Sequence, residues 1–88
     1  MPTVKFYAGL RKAAGTNETR VTAITLRAAL DSLAAQYPSL QGQVWDGGAM
    51  RPHIVITVNG QPVDPEIGLD LTVTPEDEIA IFPPIAGG

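Results

Sequence analysis

One stretch of this chain has the pattern of an amphipathic helix, and it limits how the rest can fold. Between residues 26 and 37 the apolar side chains recur with helical spacing and form a single stripe. The stripe consists of Leu26, Ala29, Leu30, Leu33, Ala34 and Tyr37. Thr25 is a suitable N-cap, and Pro38 ends the helix because it pushes the preceding residue out of helical geometry. Because only one side of this helix is apolar, we predict that it packs on one face of a small sheet.

Alternation of apolar and polar residues predicts strands on both sides of this helix. The predicted strands are 3–8, 20–24, 53–58, a short edge strand within 62–68, and 78–82. Asn59-Gly60 is the signature of a two-residue hairpin turn, and residues 10–17 are predicted to be a long connection. The order predicts an α+β fold in which a mixed four- to five-stranded sheet packs on one main helix. With an extended C-terminal tail, this is the β-grasp, or ubiquitin-like, architecture.

The composition narrows the chemistry that the chain can perform. It has no cysteine, one histidine and no cluster of carboxylates, which predicts no disulfide, no thiol nucleophile and no metal site. The net charge is −3 and the six Lys and Arg residues are scattered, which is unlike a nucleic-acid-binding surface. No apolar stretch is long enough to span a membrane, and the first residues lack the features of a signal peptide. We therefore expect a cytoplasmic, non-catalytic protein with no bound cofactor.

One helix can cover only one face of the predicted sheet, so the other face is left open. By alternation, the residues that face the helix are Val4, Phe6, Val21, Ile54, Ile56, Val58, Ile79 and Ile81. The open face then carries Tyr7, Val55, Thr57, Ala80 and Phe82 beside Lys5. Apolar surface of this kind marks a partner-docking site, which we predict to consist of Tyr7, Val55, Phe82 and Pro83. A slipped register, or a loop 39–52 folded over this face, would remove the site. Trp45 in that loop is predicted to plug the edge of the core.

The C-terminal segment is stiff at its base and narrow at its end. The two prolines at 83 and 84 favour extended backbone, and the two glycines at 87 and 88 have no side chain. We therefore predict a single domain, 1–83, and a flexible tail, 84–88, that can enter the narrow active site of another protein. The residues predicted to lie in that active site are Pro84, Ile85, Ala86 and Gly87. A free carboxylate is a poor electrophile, so the Gly88 carboxylate would be activated with ATP by a partner enzyme.

Three segments resemble the MoaD/ThiS family of ubiquitin-like sulfur carriers. Residues 5–15, KFYAGLRKAAG, resemble the family's first strand and turn, which have the pattern F-[FY]-A-x-[LV]-R-x-x-x-G. Residues 25–30, TLRAAL, look like its helix start. Residues 77–88, DEIAIFPPIAGG, are similar to its C-terminus, D-E-[VIL]-A-[FIL]-[FL]-P-P-[VI]-x-G-G. The resemblance is nearest to MoaD, the small subunit of molybdopterin synthase, although residues 41–53 make the middle of this chain longer.

The resemblance implies a sulfur carrier that acts with several partners. A MoeB-type adenylating enzyme would activate Gly88 with ATP, and a sulfurtransferase or cysteine desulfurase would supply the sulfur. Gly88 would then carry the sulfur as a thiocarboxylate. A MoaE-type large subunit would receive the tail and use the sulfur for molybdopterin, in molybdenum cofactor biosynthesis. Phe82, Pro83, Pro84 and Ile85 would dock the base of the tail.

Other functions stay open at this point. The chain is also compatible with a ubiquitin-like modifier that is joined through Gly88 to lysines of target proteins. Its sulfur could instead serve cysteine, thiamine or tRNA thiolation pathways. A binding module that does not use its tail is a further hypothesis.

Overall fold

Five strands and one long helix build most of the molecule. The computed structural model describes residues 1–46, 49–64 and 67–83. In chain order the elements are β1 (Thr3–Phe6), α1 (Gly9–Ala14), β2 (Glu18–Arg20), α2 (Leu26–Gln36), a 3₁₀ helix (Pro38–Leu40), β3 (Trp45–Asp46), β4 (Ala49–Met50), β5 (Val55–Val58), β6 (Gln61–Val63) and β7 (Glu78–Phe82). The main sheet has the order β2-β1-β7-β5-β6, with β1 and β7 parallel and the other neighbours antiparallel. This confirms the predicted β-grasp fold.

The predicted amphipathic helix is α2, and it begins directly after its predicted cap, Thr25. The Thr25 side chain accepts a hydrogen bond from the Ala28 N–H at 3.2 Å, which satisfies a donor that the first helical turn leaves free. The helix ends at Gln36, one residue earlier than predicted, and Tyr37 then leads into the 3₁₀ helix that begins at Pro38. Leu26, Ala29, Leu30 and Leu33 are buried against the sheet.

The core lies between α2 and the sheet, and every residue predicted to face the helix is buried there. These residues are Val4, Phe6, Val21, Ile54, Ile56, Val58, Ile79 and Ile81. The Phe6 ring also meets the Tyr37 ring edge-on, with 5.6 Å between centroids. A fully buried Leu, Ile or Phe side chain contributes about 2 kcal/mol. A one-residue slip would turn these side chains to the other face of the sheet, so the alternation in β1, β5 and β7 sets the register of these strands.

The return strand was predicted too late in the chain. Residues 20–24 were expected to pair with the first strand, but β2 ends at Arg20. The Val21 N–H already donates to the Pro2 carbonyl at 3.1 Å, so β1 offers almost no further partners. Ile24 instead accepts from the Val73 N–H at 2.8 Å, which carries the chain away from the sheet and towards α2.

The connection 10–17 was predicted as a loop, but most of the short helix α1, which begins at Gly9, lies within it. It buries Leu10 and ends at Gly15, which has a φ of 78° and donates its N–H to the Arg11 carbonyl at 2.9 Å. A helix of six residues is too short to show a periodic stripe, so the sequence pattern could not reveal it.

The loop between α2 and β5 folds inwards and leaves the open face of the sheet uncovered. Leu40, Val44 and Trp45 join the core, and Trp45 is 8% exposed, which confirms its predicted role as a core plug. The Arg51 N–H donates to the Val44 carbonyl at 2.8 Å and holds the loop closed. The hypothesis that this loop covers the open face is therefore wrong.

The Asn59-Gly60 hairpin turn forms as predicted and is tied to the start of β7. Asn59 and Gly60 have φ values of 52° and 81°. The Asn59 amide donates to the Asp77 carboxylate at 2.8 Å, and the other Asp77 oxygen accepts from the Thr74 N–H at 2.7 Å. These hydrogen bonds stabilise the charged form and hold the pKa of Asp77 below its ordinary value of 3.8, with the Asn59 bond as the largest cause.

We predict that Asp77 makes stability depend on acidity. Because its pKa is lower in the folded state, its contribution is present above pH 3.8 and is lost as the pH falls through the folded-state pKa. Urea midpoints of the wild type and Asp77→Asn should therefore differ at pH 7 and converge on acidification. A constant difference down to acid pH would contradict this role.

Gly68 lies too close to its neighbours to carry a side chain. A Cβ there would overlap Val63 Cγ1 and lie 2.9 Å from the Asp64 carbonyl oxygen, while the Gly68 N–H donates to that same oxygen at 2.7 Å. We expect Gly68→Ala to lower the free energy of unfolding by about 1–3 kcal/mol through this overpacking. Gly9→Ala is the matched control, because a Cβ at Gly9 meets nothing within 4 Å. Equal urea midpoints for the two variants would contradict the prediction.

Candidate partner-docking site

The face of the sheet that points away from α2 has an apolar end and a charged end; we call it the outer face. Val55 and Phe82 are cross-strand neighbours, and Tyr7 follows Phe6, which pairs with Ile81. The Tyr7 and Phe82 rings are stacked, with 4.5 Å between centroids and 16° between planes. We define the apolar end as Tyr7, Val55, Ala80, Phe82 and Pro83. The structure thus brings Tyr7, just after β1, together with Val55 of β5 and Phe82 of β7, which were predicted to share this face.

The apolar end is ordered and yet accessible. Val55 is 45% exposed, and Tyr7, Phe82 and Pro83 are half-buried. Ala80 is only 7% exposed, and its cross-strand neighbours, Lys5 and Thr57, have larger side chains. A stacked aromatic pair contributes about 0.5–1.5 kcal/mol beyond the area it buries. A partner would therefore meet a surface whose rings are already positioned, which lowers the entropy lost on docking.

The charged end of the outer face is built around Lys5. Its Nζ lies 2.7 Å from Glu78 Oε1, and Glu18 is its cross-strand neighbour on β2. The hydrogen bond and charge of Glu78 raise the pKa of Lys5 above its ordinary value of 10.5. Both side chains of the pair are about two-fifths exposed, at 39% and 45%, so the pair adds little to stability. Its effect is to limit the apolar end to the part of the face near the end of β7.

A strained turn follows Tyr7. The Leu10 N–H donates to the Tyr7 carbonyl at 3.2 Å, and Ala8 has φ 53° and ψ −132°. These angles are those of the first central residue of a type II′ turn, a position that favours glycine. Such backbone strain is concentrated at functional sites. Sequence reasoning missed this feature, because the only local signal was Gly9, which marks a turn without showing which residue bears the strain.

We predict that Ala8→Gly raises the free energy of unfolding by about 1 kcal/mol. The reason is that the stabilisation from relieved backbone strain exceeds the destabilisation from the greater conformational entropy of the unfolded chain. Ala35→Gly is the control. Ala35 is exposed within α2, where glycine should instead lower stability by about 1 kcal/mol. Urea denaturation of both variants measures the two effects. Destabilisation by Ala8→Gly would show that the turn carries no strain.

The tail itself lies beyond the part of the chain that the structure describes. β7 ends at Phe82, and Pro83 is the last described residue. The predicted roles of Pro84, Ile85, Ala86, Gly87 and Gly88 therefore stay predictions. What the structure does establish is the exit point: the tail follows directly from the apolar end of the outer face.

Residues 1–46, 49–64 and 67–83 bury no polar or charged side chain, and they contain no group of three or more His, Cys, Asp or Glu that could hold a metal ion. None of the helices in these ranges is both long and apolar enough to cross a membrane.

Comparison with known proteins gives consistent relatives over nearly the whole chain. Residues 4–88 match the ThiS family. Small archaeal modifier protein 3 of Haloferax volcanii is 32% identical over 88 residues, which cover 97% of this chain and 96% of the relative. The solution structure of small archaeal modifier protein 1 from Methanosarcina acetivorans superimposes with a TM-score of 0.87 at 33% identity, covering 99% of this chain and 95% of that one. The crystal structure of CysO from Mycobacterium tuberculosis gives a TM-score of 0.79 at 25% identity, covering 97% of this chain and 100% of that one. This chain therefore belongs to the ThiS family of small ubiquitin-like carrier and modifier proteins.

Proposed function

We propose that this protein is a sulfur carrier whose Gly88 carboxylate is activated and thiolated by partner enzymes. The observation that carries the proposal is the position of the apolar end of the outer face, directly where the C-terminal tail begins. Membership of the ThiS family and the resemblance of residues 77–88 to sulfur-carrier termini support it. In this proposal residues 1–83 are the recognition domain and residues 84–88 are the flexible reactive tail.

Docking and threading act together in this proposal. The apolar end, above all Phe82 and Tyr7, holds the domain against a MoeB-type adenylating enzyme. The prolines at 83 and 84 direct the tail. Residues 86 to 88, an alanine and two glycines, are narrow enough to pass through the enzyme's channel. Because the domain is held in place, the Gly88 carboxylate is presented at a high effective concentration.

The chemistry proceeds in three steps on the partner. The Gly88 carboxylate attacks the α-phosphate of ATP, which forms an acyl adenylate and releases pyrophosphate. A sulfur nucleophile delivered by a sulfurtransferase or cysteine desulfurase then attacks the Gly88 carbonyl carbon and releases AMP. When the nucleophile is the terminal sulfur of a cysteine persulfide on the donor, this attack gives an acyl disulfide. A second thiol on the partner then attacks the donor's cysteine sulfur and forms a disulfide with it, which leaves Gly88 as a thiocarboxylate. The chain contains no cysteine, so the sulfur is held at Gly88 rather than as a persulfide on this protein.

The proposed recipient is the molybdopterin precursor bound to a MoaE-type large subunit. The residues that favour it are those of the first turn and the terminal segment, which resemble MoaD. Cysteine, thiamine and tRNA thiolation are the other recipients to test, because the loop 41–53 is longer than in compact MoaD sequences.

A second candidate function is conjugation to proteins, and the names of the small archaeal modifier relatives favour it. In that case a lysine amine replaces sulfur as the nucleophile and forms an isopeptide bond with Gly88. The chain has two lysines, Lys5 and Lys12. Lys5 is held by Glu78, whereas Lys12 is exposed on α1, so we expect any self-conjugation to occur at Lys12.

Intact-mass analysis separates these functions. The protein is incubated with the adenylating enzyme, ATP and a sulfur donor, and its C-terminal peptide is then sequenced by mass spectrometry. Exchange of one oxygen for sulfur at Gly88 supports the carrier. High-mass products with Gly88 joined to lysine support the modifier. If neither product forms with active partners, the proposed function is wrong.

A further inference from the structure

The C-terminal end of β7, from which the tail leaves, has basic residues on both sides. β1 runs parallel to β7, so α1, which follows β1, lies at this same end of the sheet. β5 runs antiparallel to β7, so the residues just before β5 also lie there. Arg11 and Lys12 are exposed on α1, and Arg51 is exposed shortly before β5. We call these three residues the basic rim.

The basic rim stands out because the protein as a whole is acidic. The net charge is −3, and three of the six Lys and Arg residues belong to the rim. At the opposite end of β7 the chain has three consecutive acidic residues, 76–78. β6 runs antiparallel to β5, so Asp64, which follows β6, lies at the same end of the sheet as the rim, and Asp46 in β3 precedes Arg51 in the same loop. The acidic run 76–78 and the basic rim therefore lie at opposite ends of β7.

The basic rim is attached to fixed parts of the fold. The Arg51 Nη1 donates to the Gly42 carbonyl at 2.9 Å. The Ser39 hydroxyl, in the 3₁₀ helix, donates to the Ala13 carbonyl of α1. The 3₁₀ helix leads directly into the loop that holds Arg51, so both sides of the rim are linked through the same segment. The backbone segments that carry the three rim residues are therefore connected to one another by hydrogen bonds and by the chain itself.

We propose that the basic rim guides the tail into its partner by docking on an acidic protein surface around the channel of the adenylating enzyme. This inference rests on the proposed function and adds the chemistry of the partner surface. Charges that surround a binding site steer encounter and raise the association rate by about 10–10³-fold at low salt. The apolar end then supplies short-range contact. A rim of three cations beside an apolar surface, on a chain of net charge −3, fits an acidic protein better than a nucleic-acid backbone, which attracts larger positive clusters.

The test measures the association rate with the adenylating enzyme by stopped flow. The rim variant is Arg11→Gln/Lys12→Gln, and the matched control is Arg20→Gln/Arg27→Gln, which removes the same charge away from the tail exit. At low salt we expect the rim variant to associate about tenfold more slowly and the control to stay within about twofold of the wild type. At about 1 M salt, where the Debye length is about 3 Å, the difference should vanish.

Arg51 is tested separately because its side chain also bonds Gly42. Arg51→Lys keeps the charge and should associate at the wild-type rate, whereas Arg51→Gln should be slower. If both substitutions lowered the association rate equally, the role of Arg51 would be structural and Arg51 would not belong to the basic rim.

The controls distinguish failure of this inference from failure of the proposed function. If the wild type is not adenylated, as measured by ATP–pyrophosphate exchange, the proposed function fails. If the wild type is adenylated but the rim and control variants associate with the enzyme at the same rate, the proposed role of the basic rim is wrong. An RNA oligonucleotide provides a further test. If the wild type binds it in a salt-dependent way, and the rim variant loses this binding but associates with the enzyme at the wild-type rate, the proposed role of the basic rim is also wrong.

Discussion

Adding one alanine after Gly88 is expected to abolish adenylation while leaving the fold unchanged. The extension moves the terminal carboxylate by about 3.5 Å. It also adds a methyl group after two glycines, which have no side chain. An adenylating site must hold the carboxylate in line with the α-phosphate, and a displacement of about 1 Å already costs about 10²-fold in rate. The sequence predicts that Gly88 belongs to the tail and not to the domain 1–83, so we expect the urea midpoint to stay the same. ATP–pyrophosphate exchange measures the first effect and urea denaturation the second.

An extension at the other end of the chain is the control. One alanine added before Met1, which is 56% exposed, should leave both adenylation and stability unchanged. Mass spectrometry after the assay shows whether the added C-terminal residue is still present. Full activity of the intact extended protein would disprove the role of the Gly88 carboxylate.

Replacing Phe82 with aspartate should have the next largest effect. The change removes half of the stacked ring pair and puts a carboxylate in the middle of the apolar end. Loss of apolar contact with the partner and desolvation of an unpaired charge together cost about 3 kcal/mol, which corresponds to about 100-fold. We expect kcat/KM for adenylation to fall by about that factor. Because Phe82 is only half-buried, the fold should persist, which circular dichroism can verify.

Ile24→Asp is the matched control for this variant. Ile24 is 75% exposed next to the start of α2 and away from the outer face, so the same apolar-to-acidic change there should leave kcat/KM within about twofold of the wild type. A folded Phe82→Asp protein with wild-type kcat/KM would show that the apolar end does not dock the enzyme. If both variants lost activity equally, a general effect of the added negative charge would explain the result.

The elements with strong local signals were predictable from the sequence. The stripe and cap of α2, the Asn59-Gly60 turn and the alternation in β7 are each determined by residues close together in the chain. The outer face follows from the same alternation, because a residue in a strand that does not face the helix must face the other side. Tyr7, Val55 and Phe82 could therefore be placed on one surface before their contacts were known.

Other features depended on contacts that the sequence does not display. β2 ends early because β1 supplies no partners beyond Pro2, and α1 is too short for a periodic pattern. The loop 39–52 had a composition compatible with either a cover for the outer face or a plug for the core. The burial of Leu40, Val44 and Trp45 decided in favour of the core.

What the sequence determined by itself was the α+β architecture, the apolar outer face and a C-terminal tail that ends in two glycines. These depend on periodicity and on backbone chemistry, which are local properties. Only the tertiary structure showed that Ala8 bears a strained turn beside Tyr7. It also placed α1, with Arg11 and Lys12, and the segment before β5, with Arg51, at the end of β7 from which the tail leaves. Those arrangements arise from the parallel pairing of β1 with β7 and the antiparallel pairing of β5 with β7, which bring together segments that are far apart in the chain.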